Sequence, residues 1–327
     1  MMSDLIGFKN ESNYLFSKII NNKLHNSIIF HGPKGVGKRI FIDNLILNFF
    51  KNIDNENIST HINLLNSKSH PNIKILERVL DNKTKKIKSK ISIDQVRSIK
   101  TFINETNTVK NSKKFILVDT ADDLNINSSN SLLKNIEEPR KDTYFFLISH
   151  QLSLLSPTLR SRCLKIKFKN HNYEDFKEII SNYNNSFDEE GINFLYDLSF
   201  GSPGISLSLY DDHIYNLFNL TLNSLCSDKM NESSIELSDN ISSFDDEKFK
   251  NYLFVLKTIL IILYKIKLKS FNASHYHSEK FKKIEYISEN ISKKNIVDRI
   301  DYLAKNESDL YIYNLNKKIF MLNFLNT

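Results

Sequence analysis

A glycine-rich segment between an apolar strand and an amphipathic helix constrains this chain more than any other feature. The spacing G-x-x-x-x-G-K is met by Gly32, Gly37 and Lys38, with Gly35 between them. In this context the segment predicts a loop whose backbone N–H groups surround phosphate oxygens at the N-terminus of a helix. Lys38 is the residue that such loops direct at the phosphates. The sequence therefore predicts an α/β domain built around a phosphate-binding loop.

The residue that follows Lys38 departs from this motif. A Ser or Thr normally stands here and binds the Mg²⁺ that bridges the β- and γ-phosphates. This chain has Arg39 instead, and a guanidinium has no lone pair to offer a cation. We therefore expect a degenerate phosphate loop that binds ATP weakly at most and hydrolyses it badly or not at all.

A second catalytic group is missing from the predicted acidic strand. Phe115–Asp119 is a short apolar run that ends in an acid, as expected of the strand whose Asp holds the Mg²⁺ shell. The next residue is Thr120, and a neutral hydroxyl cannot replace the Glu that polarises the attacking water. Ser149, at the end of another predicted strand, is assigned to the same site because ligands bind beyond the carboxyl ends of parallel strands.

Strand and helix patterns alternate through the first half of the chain. Apolar runs predict five strands, near Ile28–His31, Asn72–Leu76, Phe115–Asp119, Tyr144–Ser149 and Leu164–Phe168. Alternation with helices implies a parallel sheet covered on both faces. After Lys169 the strand signal ends, and the patterns are helical. We predict an α/β domain over residues 1–168, a small helical domain over 169–210 and a helical domain over 211–327.

Composition favours a globular protein of the cytoplasm. Hydrophobic residues make up 40% of the chain, and its two cysteines, Cys163 and Cys226, cannot form a disulfide framework. The first residues show no cationic and apolar signal pattern. The longest apolar run, Tyr252–Ile266, is interrupted by two lysines and is too short to span a bilayer. We expect this run to form a core helix, and we expect no membrane partner.

Positive charge is concentrated in one segment. The formal net charge is +7, and five lysines lie between Lys83 and Lys90. Clustered lysines suit contact with the phosphate backbone of primer-template DNA, which requires no base-reading side chains. The other interpretation is a solvated hairpin or loop in a lysine-rich chain. The sequence leaves both interpretations open.

Three motifs identify a resemblance to a known family. They are Asp119–Leu124, the run NSLLKNIEEP at Asn130–Pro139, and the segment LRSRC at Leu159–Cys163. Together they resemble the core of bacterial DNA polymerase III clamp-loader subunits of the AAA+ class. Within this family, the degenerate loop and the missing Glu are most similar to the delta-prime branch, because the gamma/tau ATPase branch keeps both groups.

The resemblance implies roles for several parts of the chain. Residues 169–210 would be the AAA+ lid, in which Gly204 is followed by Ile205 and not by the nucleotide-sensing Arg of active members. Residues 211–327 would form the collar that holds a pentamer together. Arg162 would be an arginine finger that acts in trans on a neighbour's ATP. The implied partners are gamma/tau and delta subunits in a hetero-oligomeric ring, the sliding clamp and primer-template DNA.

The chain also departs from the family. Related subunits often carry a four-cysteine zinc module between the phosphate loop and the acidic strand, but this chain has no cysteine between residues 38 and 119. We expect no zinc, and the structure of residues 52–70 is left open. Two other functions stay open as well. One is an active gamma/tau-like ATPase that tolerates Arg39 and Thr120, and the other is a DNA-binding scaffold of the same fold outside an ATP-driven ring.

Overall fold

The chain divides into two compact units. A computed structural model describes residues 5–80, 88–105, 112–183, 187–211, 213–225, 231–269 and 277–327. The first unit comprises residues 1–171 and the second comprises residues 172–327. Among the described residues, no helix is long and apolar enough to cross a membrane.

A parallel sheet forms the centre of the first unit. Its strands are β1 (Ser27–His31), β2 (Ile73–Glu77), β3 (Lys114–Asp119), β4 (Thr143–Ser149) and β5 (Leu164–Lys167). They lie in the order β2-β3-β4-β1-β5, and every neighbouring pair is parallel. The five strands lie where the apolar runs predicted them. The predicted α/β class, with a five-stranded parallel sheet followed by helices, is confirmed.

Helices cover both faces of this sheet. They are α1 (Lys9–Ile20), α2 (Lys38–Ile53), α3 (Ile58–Asn66), α4 (Ile93–Asn104), α5 (Ile126–Glu137) and the short α6 (Pro157–Ser161). Because successive side chains of a strand point to opposite faces, each strand contributes to two cores. On β3, Phe115 and Leu117 belong to the core that includes α1 and α2, whereas Ile116 and Val118 belong to the core that includes α4 and α5.

Local sequence sets where several of these helices begin. Ser92 and Gln95 form a capping box at the start of α4, so both residues satisfy backbone N–H groups that the helix leaves without partners. Asn125 caps α5, and Ser156 caps α6 with Pro157 at the first helical position. These caps fix the first residues of α5 and α6, the helices that carry the family motifs.

The second unit is helical throughout the part that the structure describes. Its helices are α7 (Tyr173–Tyr183), α8 (Glu189–Ser199), α9 (Pro203–Asp211), α10 (Phe218–Leu225), α11 (Glu232–Ser242), α12 (Asp246–Lys267), α13 (Glu279–Asn290), α14 (Lys293–Ile312) and α15 (Lys317–Leu325). The apolar run Tyr252–Ile266 lies in α12, and most of its apolar residues belong to the larger core. The smaller core consists of residues from α7 and α8. The division into a lid at 169–210 and a collar at 211–327 stays a prediction.

Candidate nucleotide-loop site and its neighbours

The phosphate loop joins β1 to α2 in the predicted context. Gly32, Gly35 and Gly37 have φ values of 146°, 80° and 85°, which side chains rarely tolerate. A Cβ atom on Gly32 would lie only 2.2 Å from the carbonyl oxygen of Phe168. Glycine is therefore required at position 32 both by conformation and by close backbone approach. The loop has the shape that exposes backbone N–H groups at the start of a helix.

Lys38 interacts with the loop that precedes it. Its Nζ donates hydrogen bonds to the carbonyl oxygens of Gly32, at 2.8 Å, and Pro33, at 2.6 Å. The side chain is buried, and burial lowers its pKa to about 8, although the carboxylates of Asp122 and Asp119 act in the opposite direction. An anion that bound this loop would compete with these carbonyls for the ammonium group.

Arg39 forms ion pairs with two carboxylates. Its Nε donates to both oxygens of Asp43, at 3.0 and 2.9 Å, and its Nη1 donates to Oδ2 of Asp119 at 3.1 Å. Burial acts to lower the pKa of Arg39, but the two carboxylates outweigh it, so the pKa lies above its ordinary value. The pKa of Asp43 is raised because burial outweighs the effect of Arg39.

These ion pairs are incompatible with a magnesium site of the usual kind. Asp119 is the acid that would hold the Mg²⁺ shell, and a guanidinium already neutralises its carboxylate. Mg²⁺ would also need a hydroxyl oxygen at position 39, where Arg offers only N–H donors. The residues present do not fit the metal, although both Arg39 and Asp119 lie where the sequence placed them.

Thr120 and Ser149 interact with neighbouring acids. The Thr120 hydroxyl donates to Oδ2 of Asp123 at 3.2 Å, and the Ser149 hydroxyl donates to Oδ1 of Asp122 at 2.7 Å. Oδ2 of Asp122 also accepts the backbone N–H of His150 at 2.7 Å. Ser149 thus lies at the end of β4 as predicted, and Asp122 connects the ends of β3 and β4.

Sequence reasoning missed Asp122 and His150 as members of this site. Burial, followed by repulsion from Lys38, lowers the pKa of His150 to about 4, so its ring is neutral near pH 7. The signal for Asp122 was present, since it is a second acid three residues beyond the strand. No spacing rule pointed to His150, because its position near Lys38 depends on how the fold places the end of β4 beside the loop.

Arg162 lies at the C-terminal end of α6. Its Nη1 donates to the carbonyl oxygen of Thr158 at 3.1 Å, and its Nε forms an ion pair with Glu137, the last residue of α5. The Arg162 side chain is 40% exposed. Cys163 is buried, and burial raises the pKa of its thiol to about 11. Cys226 lies outside the described residues.

Residues 52–70, whose structure was left open, contain a polar chain of two buried histidines and the partly exposed Asp54. His61 Nδ1 lies 2.9 Å from Nε2 of His70, and His61 Nε2 lies 3.1 Å from Oδ2 of Asp54. The backbone N–H of Asn72 donates to Nδ1 of His70 at 3.0 Å. Since that nitrogen accepts, a neutral His70 carries its proton on Nε2 and donates it to His61. Phe50 stacks on the His61 ring at 4.5 Å.

No metal cluster lies in the described part of the chain. The described residues contain no group of three or more His, Cys, Asp or Glu side chains placed to hold a metal ion. The prediction that the protein needs no zinc stays a prediction. Within the lysine cluster, residues 83, 85 and 86 lie outside the described residues, while Lys90 Nζ donates to the carbonyl oxygen of Asp122 at 3.3 Å.

Comparison with known families assigns the first unit. A family model described as DNA polymerase III, delta subunit, matches residues 8–172. This is about half of the 327 residues and includes the loop, Asp119 and Arg162. The chain belongs to this family. The family resemblance inferred from the three motifs is confirmed.

Curated relatives carry two subunit names. DNA polymerase III subunit delta' of Pseudomonas aeruginosa is 31% identical over 156 residues, which are 46% of this chain and 45% of that protein. Subunit gamma of Buchnera aphidicola from Schizaphis graminum is 32% identical over 127 residues, 38% of this chain and 35% of that protein. The matched segments therefore span less than half the length of these relatives.

A solved structure covers more of the chain at lower identity. It is that of a DNA polymerase III gamma subunit-related protein of Thermotoga maritima, with a TM-score of 0.46 and 18% identity. The superposition covers 96% of this chain and 97% of that one.

Proposed function

We propose that this chain is a non-hydrolysing, delta-prime-type subunit of the bacterial DNA polymerase III clamp loader. One observation carries the proposal: the Arg39 guanidinium is bonded to Asp119, the acid that a hydrolysing subunit uses for Mg²⁺. The neutral Thr120 follows that acid, so the water-polarising carboxylate is missing as well. On this proposal the chain has neither ATPase nor polymerase activity of its own, and any bound nucleotide is held weakly.

The second part of the proposal concerns Arg162. In the family that the motifs resemble, the Arg of this triplet reaches the ATP of a neighbouring subunit and stabilises charge on the transferred phosphoryl group. Arg162 is 40% exposed and lies at the end of a helix, which suits a side chain that reaches across an interface. Its planar fork of donors suits phosphate oxygens. The chain would thus complete a neighbour's site while its own does not turn over.

The proposed partners follow from the names of the relatives. The relatives are named delta' and gamma subunits of DNA polymerase III, so we assign this chain to a ring with gamma/tau and delta subunits. That ring would open a sliding clamp and place it on primer-template DNA. The net charge of +7 is compatible with contact to a polyanion. Residues 169–210 would act as the lid, and residues 211–327 as the collar of the ring.

Reconstitution with the cognate gamma/tau and delta subunits tests this function. Omission of the chain should abolish DNA-stimulated clamp loading, and Arg162→Ala should slow hydrolysis at one neighbouring site by about 10³-fold or more. Total ATP turnover should fall only in part, because the other sites use other fingers. Arg162→Lys should not restore the rate, since Lys lacks the planar fork.

Arg160→Ala is the matched control for the finger. Arg160 precedes the same triplet and makes no ion pair within the described residues, so its loss should leave turnover and loading unchanged. Unchanged loading and turnover in a fully assembled complex that carries Arg162→Ala would refute the finger. A failure of the chain to assemble with the other subunits would favour a scaffold protein outside the ring.

The match to a gamma subunit favours one second candidate, an active ATPase subunit. This candidate requires Mg²⁺ to displace Arg39 from Asp119. Steady Mg²⁺-dependent turnover by the purified chain at about 1 s⁻¹, lost in Lys38→Ala, would establish it in place of our proposal.

A further inference from the structure

The Arg162 guanidinium is held by two groups of its own chain. Thr158, the second residue of α6, provides a carbonyl oxygen 3.1 Å from Nη1. Glu137 provides a carboxylate that pairs with Nε, and it is the last residue of α5. The two contacts come from different helices, both in the first unit. A substitution of the last residue of α5 would therefore remove a direct contact of the proposed arginine finger.

The two contacts leave most of the guanidinium available. The group has five N–H donors, one on Nε and two on each Nη. Glu137 forms an ion pair at Nε, and Thr158 accepts one hydrogen of Nη1. In the described part of the chain no hydrogen bond involves Nη2. The second hydrogen of Nη1 and both hydrogens of Nη2 therefore remain for a ligand, and such donors can bind an oxyanion in a bidentate way.

From this geometry we infer that Glu137 is a positioning residue for Arg162, an inference that rests on the proposed function. The Glu137 carboxylate attracts the guanidinium at Nε, and together with the Thr158 carbonyl it holds the group in place before a neighbour's phosphate arrives. Glu137 itself does not touch that phosphate. A side chain held in its reactive orientation loses less rotational freedom at the transition state, and the benefit appears in the rate of the chemical step.

The expected effect is small because both side chains are about two-fifths exposed, at 40% and 41%. Exposed ion pairs of this kind change an equilibrium by about two- to fivefold. Glu137→Ala should therefore lower the neighbour's kcat by about two- to fivefold, with KM for ATP unchanged. Glu137→Gln keeps the size of the side chain and an oxygen near Nε but loses the charge, so it should restore only part of the rate.

The experiment uses a reconstituted complex in which only the ATPase subunit beside this chain can hydrolyse ATP. We would measure kcat and KM for Glu137→Ala, Glu137→Gln, Arg162→Ala and the double variant Glu137→Ala/Arg162→Ala. Because Glu137 acts only through Arg162, the double variant should match Arg162→Ala alone. Glu138→Ala is the matched control, since Glu138 is exposed, adjacent and without an ion pair among the described residues.

Each outcome decides between the two proposals. If Arg162→Ala lowers kcat but Glu137→Ala leaves kcat unchanged or raises it, the positioning role of Glu137 is refuted and the finger role of Arg162 is retained. A further loss in the double variant would also overturn it, because Glu137 would then act apart from Arg162. An unchanged Arg162→Ala in an assembled complex would refute the proposed function itself. Thermal unfolding of each variant should be unchanged, which separates positioning from misfolding.

Discussion

Nη1 of Arg39 lies 3.1 Å from Oδ2 of Asp119, and this contact joins the start of α2 to the end of β3. The two residues are 80 positions apart in the sequence. A hydrolysing subunit places a hydroxyl and a metal ion between these elements. Here one guanidinium connects them directly, and it also pairs with Asp43. The connection between helix and strand therefore requires neither a metal nor a nucleotide.

Arg39→Thr should restore magnesium-dependent nucleotide binding without hydrolysis. The substitution supplies a hydroxyl and releases the Asp119 carboxylate, while Thr120 still cannot activate water. We expect a fluorescent ATP analogue to bind the variant at least about tenfold more tightly with Mg²⁺ than with EDTA. The wild-type chain should show no such difference.

Arg39→Ala is the control for that experiment. It releases Asp119 but supplies no hydroxyl, so its response to Mg²⁺ should be smaller than that of Arg39→Thr. Equal binding by wild type and Arg39→Thr with and without Mg²⁺ would contradict the idea that the guanidinium excludes the metal.

The stability of the first unit should fall as pH falls between about 6.5 and 4, in part because of His70. Burial, followed by repulsion from His61, lowers the pKa of His70 from 6.5 to about 4. In this window the unfolded chain binds a proton at this position and the folded chain does not, so acid favours unfolding. The contribution is complete above pH 6.5, and its slope is at most about 1.4 kcal/mol per pH unit.

His70→Gln measures this contribution. Denaturant unfolding at pH 7.5, 6.5, 5.5 and 4.5 should show a less stable variant at neutral pH with a shallower loss towards acid. His150 also has a lowered pKa and is present in both wild type and His70→Gln. The contribution of His70 is therefore the difference between the pH slopes of the two proteins. His25→Gln, a substitution at an exposed ring, is the control for a change from His to Gln elsewhere in the unit. Parallel curves for wild type and His70→Gln would show that His70 does not titrate in this window.

The elements of the fold could be predicted because their signals are local. The strand at Phe115–Asp119 and the loop at Gly32–Lys38 are determined by apolar runs, glycine spacing and caps within about ten residues. The ion pair between Arg39 and Asp43 also follows a local rule, since residues four apart lie together on a helix.

The side-chain partners that decide the chemistry could not be predicted in the same way. Glu137 contacts Arg162 because the C-terminal ends of α5 and α6 lie close together. His61 contacts His70 because the chain reverses direction between α3 and β2. Neither pair has a characteristic spacing. The sequence showed that position 39 lacks a hydroxyl group. Only the fold showed that the Arg39 guanidinium donates a hydrogen bond to the carboxylate of Asp119.

The protein should purify without stoichiometric zinc. Cys163 is the one free cysteine among the described residues, and a structural zinc site needs four ligands. His61 and His70 already use their facing nitrogens in a hydrogen bond of 2.9 Å, which is shorter than the separation of two nitrogens on one zinc ion, about 3.3 Å. Elemental analysis after dialysis against a mild chelator is the measurement. One zinc per chain would contradict this prediction.

Substitution of Arg299 should destabilise the helical unit. Its side chain is 1% exposed, and its guanidinium donates to the carbonyl oxygens of Leu225 at 3.2 Å and Leu325 at 3.3 Å. These are the last residues of α10 and α15, where helices leave carbonyl groups without partners. Arg299→Met keeps most of the volume but removes the donors of these hydrogen bonds, so we expect a loss of about 2 kcal/mol in the free energy of unfolding. Arg299→Ala also leaves a cavity and should lose about 4 kcal/mol.

Lys294→Ala, an exposed change on the same helix, should stay within about 0.5 kcal/mol of wild type. Denaturant unfolding followed by circular dichroism measures all three variants. If the lost hydrogen bonds dominate, Met and Ala will both destabilise, with Ala worse. If the free-energy cost of burying the guanidinium charge exceeds the gain from its hydrogen bonds, Arg299→Met will be as stable as wild type or more stable. That result would mean that α10 and α15 hold their ends together by apolar packing, and that the arginine serves something other than stability.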